Sequence, residues 1–367
     1  MSLLFLGCAA VDDGTPVADG ADLKGDRTAA PVALRSTVVV HYPTGWGHRV
    51  ELRGSGGGLD WWDGREARWT ENDAWVLAVD LTAAVELKPL FDDAVWSKGP
   101  NYRLEPGQTI DLWPVFFHDA GRLERRVDWR SPLLEQDRDV VIYLPPSYDE
   151  NIHRRYPVVY MHDGQNLWFD RDSFGGVAWD VAGAMNRGFT DATVREAIVI
   201  GVDNTADRIW EYTPTDGGYD GGGADVYLEY LAEELKPIMD RDYRTMPGRE
   251  STGIAGSSLG GLVSVWGGAS RGETFGLVAA LSPSTWWDDR WILAQVRDAA
   301  WVPARVYVDS GDSGTSQDDK VNTALLADAY RARGATLKYL VQRGASHNET
   351  WWRQRLPGAL AFLLGPR

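Results

Sequence analysis

The chain has 367 residues, 44% of them hydrophobic, which is enough for two domains with real apolar cores. Its formal net charge of −16 repels a phosphate backbone, so nucleic acid is excluded as a partner. With one cysteine, Cys8, no internal disulfide can form.

Residues 1–35 read as a leader and linker. Met1-Ser-Leu-Leu-Phe-Leu-Gly-Cys8 is an apolar run ending at a small residue and a cysteine, and it resembles the end of a bacterial lipoprotein signal. That resemblance implies a lipid anchor at Cys8 and a place in the cell envelope, or secretion. Residues 9–35 are rich in Ala, Asp, Gly, Pro and Thr without periodicity, as in a flexible tether. No later segment is long and apolar enough to cross a bilayer as a helix.

Residues 36–118 carry short β-prone runs at 37–42, 74–80, 85–88 and 109–113, separated by Gly, Asp and Pro clusters. Such spacing predicts a small all-β sandwich. The 85–102 stretch places Lys88 on a strand, then Trp96 in a polar loop, then Gly99-Pro100-Asn101. This order resembles the later strands of starch-binding-type carbohydrate modules. By that resemblance Trp96, Lys88 and Asn101 contact sugar, with Trp61 or Trp62 as a second platform. An indole stacks on the apolar face of a pyranose while polar neighbours bond its hydroxyls. The rival reading makes these tryptophans packing residues, as expected for Trp75 and Trp113 inside strands, and the whole region a packing partner for the C-terminal domain.

That second domain is expected over 119–367. Residues 119–140 are charged and broken by Pro132. A strand ended by prolines is expected at 138–146, further strands at 252–255, 277–281 and 336–341, and apolar runs without alternation at 156–164, 197–202 and 305–309. A strand buried on both faces reads this way in a parallel sheet. Helical stretches at 224–240, 259–269 and 322–332 lie between them, so the expected class is α/β, a doubly wound and mostly parallel sheet. Gly256-Ser257-Ser258-Leu259-Gly260 fits Gly-x-Ser-x-Gly, in which a tight strand-to-helix turn lifts a serine above the sheet edge.

A serine needs a base, and in that arrangement an acid and then a histidine come after it in the chain. After Ser258 there is one histidine, His347, just past the last predicted strand. His162 precedes the serine and is excluded by the order. The acid should lie just past the 305–309 strand. Asp312 is the choice, being nearest the strand end, and Asp318 is the alternative; Asp309 reads as strand-bound and Asp319 as a helix cap. The oxyanion of acyl transfer would be met by the backbone N–H groups of Leu259 and of Gln165, where Gly164 lets the chain approach closely.

As an ordered set, 156–166 (Tyr-Pro-Val-Val-Tyr-Met-His-Asp-Gly-Gln-Asn), 207–214 (Asp-Arg-Ile-Trp-Glu-Tyr-Thr-Pro), 256–261, 281–284 (Leu-Ser-Pro-Ser) and 346–351 resemble the esterase D-like esterases. That family includes enterochelin, feruloyl and acetylxylan esterases and mycolyl transferases. The resemblance implies an α/β-hydrolase with Ser258 and His347 catalytic, Gln165 and Leu259 as oxyanion donors, and an ester substrate. Many members carry the acid at the place Gly314 occupies here, which leaves Asp312 and Asp318 both open. Arg208 is expected to pair with Glu211 at the mouth of the site, Trp286 and Trp287 to line a substrate pocket, and 216–223 to form a lid. The expected reaction is that of a serine esterase without metal or cofactor, on acylated or feruloylated polysaccharide, or else on a siderophore lactone or small ester. A non-catalytic polysaccharide-binding surface protein is the reading from a different class.

Overall fold

A computed structural model describes residues 31–134 and 136–366. Cys8 and the apolar run before it lie outside the described residues.

The N-terminal β-rich region contains two small sheets around one apolar core. Strands Leu34–His41 and Ala74–Leu81 pair antiparallel in the first, and Val50–Gly54 and Val85–Phe91 pair antiparallel in the second. Their buried residues alternate, as period-two strands require. Val38, Val40, Leu77 and Val79 of one sheet share a cluster with Leu52, Leu87 and Leu104 of the other. Trp75 belongs to that core, whereas Trp113 is half-buried and stacked on His41 at 4.3 Å. Glu150, beyond this region in the chain, is buried beneath it. Its carboxylate accepts the Tyr42 hydroxyl at 3.0 Å and the amides of Phe116, Phe117 and His118 at 2.7–2.9 Å.

The second region is built on eight strands. They are β1 (Arg122–Trp129), β2 (Arg138–Leu144), β3 (Val158–His162), β4 (Ile198–Val202), β5 (Thr252–Ser257), β6 (Leu277–Leu281), β7 (Arg305–Gly311) and β8 (Leu337–Gln342). Their spatial order is β1-β2-β4-β3-β5-β6-β7-β8. The first two are antiparallel additions and every pairing from β4 onward is parallel. Strands β3 to β6 are buried throughout because helices cover both faces. One core cluster lies on each face. This is the α/β-hydrolase architecture. The charged 119–140 stretch conceals β1: an edge strand needs no apolar run, and its arginines pair outward, Arg122 with Asp149 at 2.7 Å and Arg126 with Asp242 at 3.0 Å.

Loops after the C-terminal ends of β3, β5, β7 and β8 meet at one edge of the sheet. The site lies there.

Candidate active site

Strand β5 turns directly into the helix Leu259–Ser270, and Ser258 stands at the joint with φ 56° and ψ −121°. A non-glycine residue is strained there and is held by its surroundings. The Ser258 amide donates to the Leu281 carbonyl at 3.0 Å, and its carbonyl accepts the Ser284 amide at 2.9 Å. Gly256 is required by space: a Cβ there would lie 2.8 Å from the Gly260 backbone and 2.9 Å from the His162 ring. His162 thus sits beneath the elbow. It is wholly buried, its Nδ1 is 2.9 Å from the Tyr227 hydroxyl, and burial pushes its pKa down to about 3, so it stays neutral.

His347 lies between β8 and the C-terminal helix Glu349–Leu364. Its Nε2 is 2.9 Å from Ser258 Oγ, and its Nδ1 is 2.6 Å from Asp318 Oδ1. The second Asp318 oxygen accepts the Ser282 hydroxyl at 2.6 Å and the Gly311 amide. Burial opposes the Asp318 charge, but these bonds prevail and hold its carboxyl below the usual range.

The acid expected at Asp312 is therefore Asp318 in the geometry. Asp312 turns the other way and accepts the Gly344 amide at 2.7 Å, tying two loops together. The chain then curls back, and three successive residues with φ near 50°, Gln317, Asp318 and Asp319, aim the Asp318 side chain inward. Proximity to the strand end was the wrong criterion, because the loop geometry selects the residue. Asp309 is strand-bound, as expected, and fully buried.

Leu259 opens its helix, and Gln165 lies in the single turn Gly164–Asn166 just past β3. The first amides of a helical turn find no carbonyl within it, which leaves them for a ligand. A cavity of about 680 Å³ covers this edge, lined among others by Gln165, Asp163, Arg208, Ser258, His347 and Trp352. Arg208 does not pair with Glu211. It forks onto Asp163 at 2.7 and 2.8 Å, over the Tyr212 ring, while Glu211 turns inward to the buried Arg138. Trp287 is likewise a correction: it is buried, its indole N–H is taken by Thr215, and it packs against Gly217 and Gly221. Trp286 is 46% exposed, lies against Trp287 and does not line the cavity. The 216–223 loop is a defined turn, closed by the Gly222 and Gly223 amides on Thr213 and Trp210. The residues that sequence reasoning missed are Asp163, the partner of Arg208, and Arg355 with Ser282 behind the acid. Asp163 stood in view beside Gly164 and Ser282 lies within the 281–284 motif; nothing in the sequence marks Arg355.

In the N-terminal region, Arg53 opposes Lys88 and Trp96 opposes Leu90, so these four share a sheet face. Arg53 lies 5.4 Å over the Trp96 ring, and Trp61 is 6.3 Å from it at 30°. Lys88 donates to the Gly99 carbonyl at 2.6 Å and Asn101 to Glu86 at 3.0 Å. Trp96 is 39% exposed, and Trp62 projects almost fully into solvent.

A family described as "Putative esterase" matches residues 131–363, well over half of the chain. The chain belongs to the Esterase family. Among its relatives are an uncharacterized protein, YbbA, of Bacillus subtilis, 24% identical over 62% of this chain and 93% of that protein, and an iron(III) salmochelin esterase of Escherichia coli, 26% identical over 71% of this chain and 62% of that one. An endo-1,4-beta-xylanase/feruloyl esterase of Xylanibacter ruminicola is 26% identical over 59% of this chain, but the match spans only 28% of that protein. Among solved structures, the enterobactin esterase of Shigella flexneri superposes with a TM-score of 0.55 at 19% identity, covering 86% of this chain and 87% of that one. A ferulic acid esterase gives 0.52 at 20% identity, covering 67% and 98%. At these identities the structural likeness shows the α/β-hydrolase fold of the Esterase family.

Proposed function

We propose that this member of the Esterase family is a serine carboxylic-ester hydrolase working through an acyl-enzyme. The observation that carries the reading is the unbroken hydrogen-bond chain Ser258–His347–Asp318 at the mouth of a cavity. His347 takes the Ser258 proton as Oγ bonds to the ester carbonyl carbon, and passes it to the departing alcohol. Water then attacks the acyl-enzyme, its proton goes to His347, and Ser258 recovers a proton as the acid leaves. Asp318 holds the imidazole tautomer, and the Gln165 and Leu259 amides face the oxyanion. Replacing Ser258 by alanine should abolish hydrolysis of a p-nitrophenyl ester in a chain that still melts like the wild type; unchanged hydrolysis would end the reading.

The substrate we favour is an acylated or feruloylated carbohydrate. The exposed Trp96, with Trp61 beside it and Lys88 on the same sheet face, supports it, as does the xylanase/feruloyl esterase relative. A second reading, a siderophore lactone, is supported by one observation. Similarity to the enterobactin esterase extends over 86% of the chain, into the N-terminal region, whereas that to the ferulic acid esterase stops at 67%. Rates on feruloyl, acetyl and trilactone esters side by side separate the two. Placement in the cell envelope rests on the Met1 to Cys8 sequence alone.

A further inference from the structure

We propose that Arg355 is a positioning residue that sets the charge and orientation of the Asp318–His347 pair. The inference rests on the serine-esterase reading above.

Three ionisable groups lie buried side by side behind the site. Arg355 is 1% exposed and Asp309 and Asp318 are both 0% exposed. Arg355 projects from the helix Glu349–Leu364, one turn after Trp352. Its Nε is 3.0 Å from Asp309 Oδ2, off the N–H axis, so that contact is mainly electrostatic. Its Nη2 donates to Ser282 Oγ at 2.6 Å and is 3.7 Å from Asp318 Oδ2.

The position of the Ser282 proton comes from a count of donors. A hydroxyl has one proton and two lone pairs. The Trp352 indole N–H donates to Ser282 Oγ at 3.0 Å and Arg355 donates to it as well, so both lone pairs are taken. The remaining direction is toward Asp318 Oδ2, 2.6 Å away. Arg355 and Trp352 thereby lock a rotor that would otherwise choose freely. With the Gly311 amide on the same oxygen, Asp318 is left with Oδ1 aimed at His347. The Trp352 ring also meets His347 edge-on at 4.9 Å, so one helix touches both the acid's support and the base.

Charge gives the second effect. One guanidinium stands between two carboxylates in a dry site. Around it lie Tyr307 and Asp309 on β7, Ser282 after β6, Gln342 at the end of β8, Asp318 and Trp352, and the carboxylates of Asp319 and Glu349 also act on His347. A cation 3.7 Å from Asp318 Oδ2 favours the ionised form of that carboxylate. It works in the same direction as the bonds that hold the Asp318 carboxyl below the usual range. Asp309, whose own carboxyl burial pushes up to about 6, faces Arg355 and makes no hydrogen bond to His347, though the Asp318 charge adds to its upward shift.

The test is the pH profile of kcat/KM on p-nitrophenyl acetate for Arg355→Gln, Arg355→Lys and Ser258→Ala. Arg355→Gln keeps a hydrogen-bond donor and removes the charge. Its acid limb should move about one unit or more to higher pH, with kcat/KM at pH 6 down about tenfold and KM little changed. Arg355→Lys should restore most of the shift. A folded Arg355→Gln protein with an unmoved acid limb, or one losing activity equally at all pH values, overturns the proposal. If Arg355→Gln does not fold, Ser282→Ala takes its place. It removes the forced donor and keeps the ion pair, so its acid limb must also move up, and an unmoved limb is again decisive. Ser258→Ala keeps the two ideas apart: activity surviving there sinks the triad reading, whereas an inert Ser258→Ala with an unmoved Arg355→Gln limb sinks only the role of Arg355.

Discussion

Replacing Asp318 by asparagine changes one atom and should nearly silence the enzyme. The size of the effect is set by the surroundings of each oxygen. Oδ2 receives the Gly311 N–H and the Ser282 hydroxyl and has Arg355 3.7 Å away, so this position accepts only an oxygen. The amide oxygen must sit there, and the amide NH₂ must point at His347 Nδ1. That nitrogen can then no longer carry its proton. The proton moves to Nε2, 2.9 Å from Ser258, where it blocks the lone pair that should accept the serine proton. The wrong tautomer costs about 10⁴ in kcat, or about 5.5 kcal/mol of barrier. The fold should tolerate the change, because Arg355 is left facing Asp309 alone as a balanced pair. Asp312→Asn is the control: its oxygen still accepts the Gly344 amide, so rates should stay within about twofold and stability within the small range of surface changes. Kinetics on p-nitrophenyl acetate with a thermal melt for each variant decide the matter. The reasoning fails if Asp318→Asn keeps more than a tenth of the wild-type kcat, or if Asp312→Asn loses as much.

Two further outcomes are expected. Burial, with Asp139 nearby, raises the Asp203 carboxyl from 3.8 to about 7. Between those values the native chain holds a proton the unfolded chain has lost, so this group makes stability fall as pH rises, by up to about 1.4 kcal/mol per unit. Asp203→Asn should flatten that fall in urea unfolding from pH 5 to pH 8; parallel curves for the two proteins would refute it. Trp96→Ala should weaken retention on insoluble starch or xylan while leaving p-nitrophenyl acetate turnover unchanged, and equal retention would remove Trp96 from any sugar surface.

The parallel strands were legible because burial on both faces demands uninterrupted apolar runs, as in Val158–His162 and Ile198–Val202. Strand β1 was not, since an edge strand satisfies its charges outward and shows no apolar pattern. Ser258 and His347 could be read because the fold fixes the chain order of nucleophile and base, and one histidine remained after the serine. Trp287 and Arg208 show the limit of reading side chains by neighbourhood: one indole is committed to packing and one guanidinium to a carboxylate forty-five residues away in the chain.

By itself the sequence determined the parallel strands, the elbow and the pairing of Ser258 with His347, because each is written in local pattern or in order along the chain. Tertiary structure decided between Asp312 and Asp318, six residues apart in one acidic loop. That choice depends on which backbone angles turn a carboxylate inward and on the buried hydroxyl, amide and guanidinium that meet it there. Those partners come from β6, β7 and the C-terminal helix, and only folding brings them together.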